Sequence, residues 1–410
     1  MPEFFNVQPP RSALEELLSQ LKVDTRSECM STAEALGRVT ARNIISSEEL
    51  PAFPRSSMDG YSVRANDTFG ATESLPAYLE VCGEVVMGAA PQVNVQPGYA
   101  AIAYTGGLLA KGTDAVVMIE HTNRVDDHTV EIVRPVAPGE NVIQQGEDIG
   151  PNDTVLSKGR QIRPQDIGAL MALGITKVAV AKRPRVAIVS TGDELVAPEM
   201  APAPGQIRDI NTYTIAAAVT RAGGVPVPIG LVKDDYDTQR EAALTGLSNS
   251  DILVFSAGSS VSSRDMTAQV LDGIGKPGVL THGIAHKPGK PTVVALIDNK
   301  PAFGLPGNPV SALVVFGILV RPTIHSLMGY TMPLRSSTVV ARLSRNVSST
   351  TGREDHVPVN LYEEGDVLTA EPVFGKSNLI YTLVRSDGVV VVPLNSGGLY
   401  SGDEVTVTLY

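Results

Sequence analysis

Three loops in the second half of the chain gather the residue types that hold anions. Ser190-Thr191-Gly192-Asp193-Glu194 follows an apolar run at 185–189. Ser256-Ala257-Gly258-Ser259-Ser260-Val261-Ser262-Ser263-Arg264-Asp265 follows a second run at 251–255. Gly304-Leu305-Pro306-Gly307-Asn308-Pro309 follows Ala302-Phe303 and opens into a helix. Gly- and Ser-rich turns at helix starts expose backbone N–H groups, which suit phosphate. Each loop alone also reads as an ordinary turn and cap. None is a G-x-x-x-x-G-K-[ST] or G-x-G-x-x-G fingerprint. What argues for a ligand is three such loops at strand carboxyl ends, where open α/β sheets bind.

Acids sit beside these loops: Asp193, Glu194, Asp234, Asp235 and Asp265. Carboxylates next to phosphate repel it unless a cation lies between, and Mg²⁺ is the usual one. For Asp234-Asp235, solvated loop acids are the plain alternative. His286-Lys287-Pro288-Gly289-Lys290-Pro291 places two lysines in a turn stiffened by proline, a clamp for a small oxyanion. By itself this segment also reads as a basic surface turn. His282 and His286 have the spacing of paired helical ligands, but the Gly and Pro around them argue against a helix. No Cys/His spacing suggests zinc. Asp59-Gly60, Thr105-Gly106-Gly107 and Gly146-Glu147-Asp148-Ile149 are turn chemistry by composition alone.

The elements that must position these residues follow from periodicity. Leu14, Leu17, Leu18 and Leu21 predict a helix over 11–22, and a second is expected at about 31–37. From 51 to 145 short strands alternate with Gly/Pro/Asp turns, at 79–86, 100–103, 115–119 and 130–133. A helix returns at 164–173, with Pro164 in its first turn. Segments 1–50 and 146–182 are therefore read as one discontinuous domain interrupted by a β insert at 51–145. From Arg185 strands alternate with helices to Pro322, predicting a mainly parallel, doubly wound α/β domain over 183–326. Its helices are expected at about 211–222, 237–247, 265–273 and 309–320. Residues 331–410 return to β alternation and read as a small β-barrel or sandwich.

The 410 residues suffice for several domains. A net charge of −11 argues against nucleic-acid binding through bulk charge. Two cysteines exclude a disulfide framework and fit a reducing cytoplasm. The start, Met-Pro-Glu-Phe-Phe, carries no signal-like pattern. The longest apolar run, at 310–320, is interrupted by Gly317 and reads as a buried helix rather than a membrane span.

Taken in order, the motifs resemble the molybdopterin molybdenumtransferase family, MoeA and the gephyrin E domain, along nearly the whole chain. They are S-M-D-G-Y at 57–61, T-G at 105–106, D-A-V-V-M-I-E at 114–120, G-E-D-I at 146–149 and S-T-G-D-E-L at 190–195. R-D-I-N at 208–211, K-P-G-K-P at 287–291 and G-L-P-G-N-P-V-S-A at 304–312 complete the set. The resemblance implies four subdomains ending in a small β-barrel, and an elongated homodimer. It implies Mg²⁺-dependent transfer of molybdenum from molybdate to adenylylated molybdopterin with release of AMP, and molybdopterin adenylyltransferase as a partner. It implies no nucleic-acid or membrane partner.

By the same resemblance, Gly258, Ser260 and Asp265 lie on a nucleotide and metal loop, with Glu194 and Asp234 as neighbouring acids. Gly304, Pro306, Gly307, Asn308, Pro309 and Ser311 lie beside the ligand. Lys287, Lys290 and Pro291 match a molybdate-holding turn, completed by Arg353 and Ser377. Asp59, Thr105 and Asp148 match positions that reach the partner subunit's cleft. The chain departs from the family pattern at Ser263, where an acid is common, at Gln144-Gln145, where arginines are common, and at His286, where an apolar residue is usual. A tungstate-preferring insertase, a molybdopterin adenylyltransferase and a non-enzymatic scaffold or sensor are the alternative readings.

Overall fold

The computed structural model describes residues 7–257, 261–331 and 337–410, without the side chains of 261–265. Gly258, Ser260 and the Asp265 carboxylate therefore lie outside the described residues.

The α/β layer is built on runs that are apolar on both faces. Val186, Ala187, Ile188 and Val189 are all fully buried, as expected of a parallel strand covered on both sides. The six-stranded sheet has the order Val225–Val232, Arg185–Thr191, Ile252–Ala257, Lys300–Pro306, Val293–Ile297, Pro277–His282. The first four strands are parallel; Val293–Ile297 runs antiparallel to Lys300–Pro306, and Pro277–His282, antiparallel to Val293–Ile297, runs with the first four. Pro277–His282 has no counterpart in the sequence reading. The antiparallel turn comes from Asp298-Asn299, both at positive φ as a two-residue hairpin loop requires.

Helices Asn211–Arg221 and Pro309–Val315 cover one face, Tyr236–Asn249 and Val261–Gly273 the other. The N-terminal helix Pro10–Gln20 joins the first face: Ala13, Leu17 and Leu21 share a buried cluster with Val186, Ile188 and Phe303. The α/β core thus recruits chain from outside 183–326.

The expected stop at Pro322 does not occur. A π-helical turn, Phe316–Val320, leads into Arg321–Leu327, with proline in the first turn of that segment. The widened turn has already broken the i to i−4 pairing that the proline ring would otherwise obstruct. This helical run, Pro309–Leu327, is long and apolar enough to span a membrane, but Val315, Phe316, Leu319, Val320 and Ile324 bury it in the α/β core.

Ser27–Ser31 pairs antiparallel with Lys177–Ala181, and Ile44–Ile45 with Thr154–Leu156, around Ala35, Leu156, Leu170 and Val180. The helix expected near 31–37 is a single 3₁₀ turn, Thr32–Glu34. Between these segments the insert forms a six-stranded sheet centred on Gly60–Val63, Tyr99–Ala103 and Ala77–Glu84.

At the C-terminus five strands close into a barrel: Glu354–Glu364, Val367–Pro372, Thr338–Leu343, Glu404–Leu409 and Gly388–Val392, which pairs back onto the first. One further strand ties the barrel to the α/β layer. His286–Lys287 pairs in parallel with the first barrel strand, setting His286 opposite Glu354 and Lys287 opposite Asp355.

Candidate active site

That junction lines a cleft of about 900 Å³. The lysine turn, Lys287 to Pro291, forms one wall. Arg353, just before the first barrel strand, and Asp355 and His356 within it form another, and Lys376 and Ser377 of a barrel loop close a third. Pro306, Asn308 and Ser311, from the last parallel strand and the start of its helix, complete it. Four cationic side chains (Lys287, Lys290, Arg353 and Lys376) face one carboxylate among the lining residues, Asp355. The local field is therefore positive in a chain that is acidic overall.

Asp355 organises two of these cations, Arg353 and Lys287. It is 2 % exposed. Arg353 donates Nε to Oδ1 at 2.8 Å and a terminal nitrogen to Oδ2 at 3.3 Å. Lys287 Nζ lies 3.6 Å from Oδ2. On the opposite wall Asn308 donates Nδ2 to Ser377 Oγ at 2.9 Å, and the Ser377 carbonyl accepts from Val310 N at 3.1 Å.

The turn itself depends on Gly289, which holds φ +117°, and a Cβ there would come within 2.4 Å of Val315 Cγ2. Gly289→Ala is expected to destabilise the fold by about 1–3 kcal/mol through overpacking, and to displace both lysines. Chemical denaturation checks the loss of stability.

A second group of candidates lies at the carboxyl ends of the parallel strands. Asp193 Oδ1 accepts from Asp234 N at 3.4 Å, setting the Glu194 and Asp234 loops side by side. A Cβ on Gly192 would stand 2.7 Å from Glu194 Oε2, so the Glu194 carboxylate folds over that glycine. Asn211 Nδ2 donates to Ser256 Oγ and to the Gly307 carbonyl, both at 2.7 Å. Asp209 Oδ1 accepts from Ser190 Oγ at 3.3 Å and from Thr212 N at 3.2 Å. The next residue, Asn308, faces the cleft, so the two halves of the site meet at Gly307-Asn308.

Gly304 does not lie in this loop. It sits inside the sheet, opposite Val293 and Phe255, where a Cβ would come within 3.1 Å of Val293 Cβ. Its role is close strand packing. Pro306 is the last residue of that strand, and Pro309 the first of the following helix.

Asp59, Thr105 and Asp148 lie elsewhere and are exposed. Asp59 Oδ1 accepts from Thr105 N at 2.8 Å and Thr105 Oγ1 at 3.0 Å. The Asp148 amide donates to the Leu50 carbonyl at 2.9 Å, on the segment leading to Asp59. None of the three lines the cleft, nor do Glu194 and Asp234.

Sequence reasoning quoted Asp209 and Asn211 within R-D-I-N without assigning them a task, and passed over Asp355, His356 and Lys376. The signal for two of these was the charged run Arg353-Glu354-Asp355-His356 leading into the apolar Val357-Pro358-Val359.

Three family models match in succession. They are the MoeA N-terminal region (domains I and II) at 9–174, the "Probable molybdopterin binding domain" at 187–326, and the MoeA C-terminal region (domain IV) at 340–410. The chain belongs to the MoeA family. It is 32 % identical to a molybdopterin molybdenumtransferase of Nostoc, over 98 % of this chain and 93 % of that one. With the molybdopterin molybdenumtransferase of Haemophilus influenzae it shares 33 % identity over 96 % of each chain. The crystal structure of the molybdopterin biosynthesis MoeA protein of Pyrococcus horikoshii superposes with a TM-score of 0.86 at 32 % identity, covering 99 % of this chain and 100 % of that one. Within the MoeA architecture, the interdomain cleft joins the molybdopterin-binding domain to domain IV.

Proposed function

We propose that this MoeA-family chain acts in molybdenum cofactor biosynthesis as a transferase, placing molybdenum from molybdate on the dithiolene of adenylylated molybdopterin with release of AMP. The observation that carries this reading is the meeting of two unlike half-sites at Gly307-Asn308. One is an oxyanion cleft lined by Lys287, Lys290 and Arg353. The other is a set of strand-end loops suited to a phosphate.

In this reading the cleft receives molybdate. Lysine ammonium groups suit a tetrahedral anion, and the Arg353 fork, held by Asp355, presents a fixed donor edge. Asn308 and Ser377 donate to the remaining oxygens. Asn211 holds the Gly307 carbonyl against the strand ends and so fixes the spacing between the two halves.

Glu194 and Asp234 offer only carboxylate oxygens on adjoining loops, a donor set that fits Mg²⁺. With Asp265 they would hold the ion, which would neutralise phosphate oxygens as AMP departs. Asp265→Asn is expected to leave folding intact and to lower Mg²⁺-dependent AMP release at least tenfold, about 1.4 kcal/mol of barrier. Unchanged turnover would remove Asp265 from the reaction.

The exposed Asp59–Thr105 pair and Asp148 reach the cleft of a second subunit in this reading, which makes the working unit a homodimer. Mixing Asp59→Asn with Asp265→Asn protein is expected to restore activity through hybrid dimers carrying one intact shared site. No recovery after demonstrated subunit exchange would leave the site within one chain.

A further inference from the structure

Beside the lysine turn lies a second constellation that the oxyanion reading does not use. His286 comes from the α/β side, and Glu354 and His356 from the first barrel strand, two residues apart and so on one face of it. One ligand atom from each of the three side chains lies within 4.8 Å of the other two. His356 Nε2 stands 2.7 Å from Glu354 Oε1. The two imidazole rings meet edge to face, with centroids 4.4 Å apart.

His286 is 1 % exposed. Its Nδ1 lies 2.6 Å from the Pro288 carbonyl oxygen. A carbonyl only accepts, so Nδ1 carries the proton and Nε2 the lone pair. Nε2 is buried and has no hydrogen-bond partner among the described residues. A buried neutral imidazole whose N–H is anchored on a backbone carbonyl and whose other nitrogen is bare has the arrangement of a metal ligand.

We propose that His286, Glu354 and His356 form a site for a zinc-class divalent cation at the junction of the α/β layer and the barrel. Two imidazoles and one carboxylate are a donor set that Zn²⁺ accepts, with a fourth position left for water or an oxyanion oxygen. Nitrogen donors disfavour Mg²⁺, so this site is chemically distinct from the acids at the strand ends. A cation here pins the barrel strand to the His286–Lys287 strap and places positive charge one residue from Lys287. The ligands come from two domains, so no local spacing in the sequence announces them. His282, the partner that spacing offered, is not among them.

The test uses the full chain after chelator treatment, titrated with Zn²⁺ by calorimetry and with Co²⁺ by visible absorption, which reports a four-coordinate site. One saturable equivalent is expected, undisturbed by excess Mg²⁺. His356→Ala should weaken it roughly 100-fold and Glu354→Gln about tenfold. His286→Leu, an apolar change, should weaken it as much as His356→Ala does. Circular dichroism of the metal-free variants confirms the fold, and Glu354→Gln keeps the test open if a histidine variant fails to fold. Absence of saturable Zn²⁺ binding by the unaltered chain would overturn the proposal. So would binding that His356→Ala and Glu354→Gln leave unchanged, since the metal would then sit elsewhere.

Discussion

Lys287→Ala or Lys290→Ala is expected to raise the molybdate concentration for half-maximal rate about ten- to a hundredfold. The chain carries −11 overall, so long-range steering does not draw a dianion in, and capture rests on the cleft. Each charge-assisted hydrogen bond there contributes roughly 1.5–3 kcal/mol when partly desolvated, which sets the size of the effect. Lys287 is exposed along most of its length and lies 3.6 Å from Asp355, so its removal leaves the Arg353–Asp355 pair in place. Binding of adenylylated molybdopterin should change far less in either variant if, as proposed, its phosphate lies on the strand-end loops. A molybdate titration of AMP release, read beside nucleotide binding by calorimetry, separates the two. Joint loss of both responses would assign the lysines to the phosphate.

Asp355→Asn should cost about 2 kcal/mol of stability, seen as a lower denaturant midpoint with an unchanged slope. The carboxylate is buried and holds two contacts from Arg353, while its strand neighbour across the junction is Lys287. Removing one partner of a buried pair can cost 3–5 kcal/mol, but Arg353 and Lys287 are partly open to water and regain some hydration. The value therefore falls below that range. Lys287→Ala removes only the longer, exposed contact and should cost under about 1 kcal/mol. Equal losses in the two variants would show that Asp355 does not organise the cluster.

Much of the architecture was legible because the hydrophobic period changes where the architecture does. Alternation over 51–145, continuous apolar strands from Arg185 and renewed alternation after 331 correspond to the insert sheet, the α/β layer and the barrel. The failures have physical causes. Gly304 and Pro306 look like loop residues, yet a strand accepts a glycine where its neighbour packs close and a proline at its end. Pro322 looks like a helix stop, yet a π turn just before it accommodates the ring. The lysine turn was readable from its own residues. Of its partners, Arg353 came only through the family resemblance, and Asp355 and His356 were missed, because all three reach it only through the pairing of His286–Lys287 with a barrel strand distant in the chain. Local pattern carries no record of that pairing.

The most direct measurement incubates the purified chain with adenylylated molybdopterin, Mg²⁺ and molybdate, and follows AMP release together with molybdenum bound to molybdopterin. The account predicts that AMP appears only when molybdate or tungstate is present and in step with metal insertion. Pyrophosphate release from ATP and molybdopterin, with no oxyanion-dependent release of AMP, would instead make the chain an adenylyltransferase and contradict it.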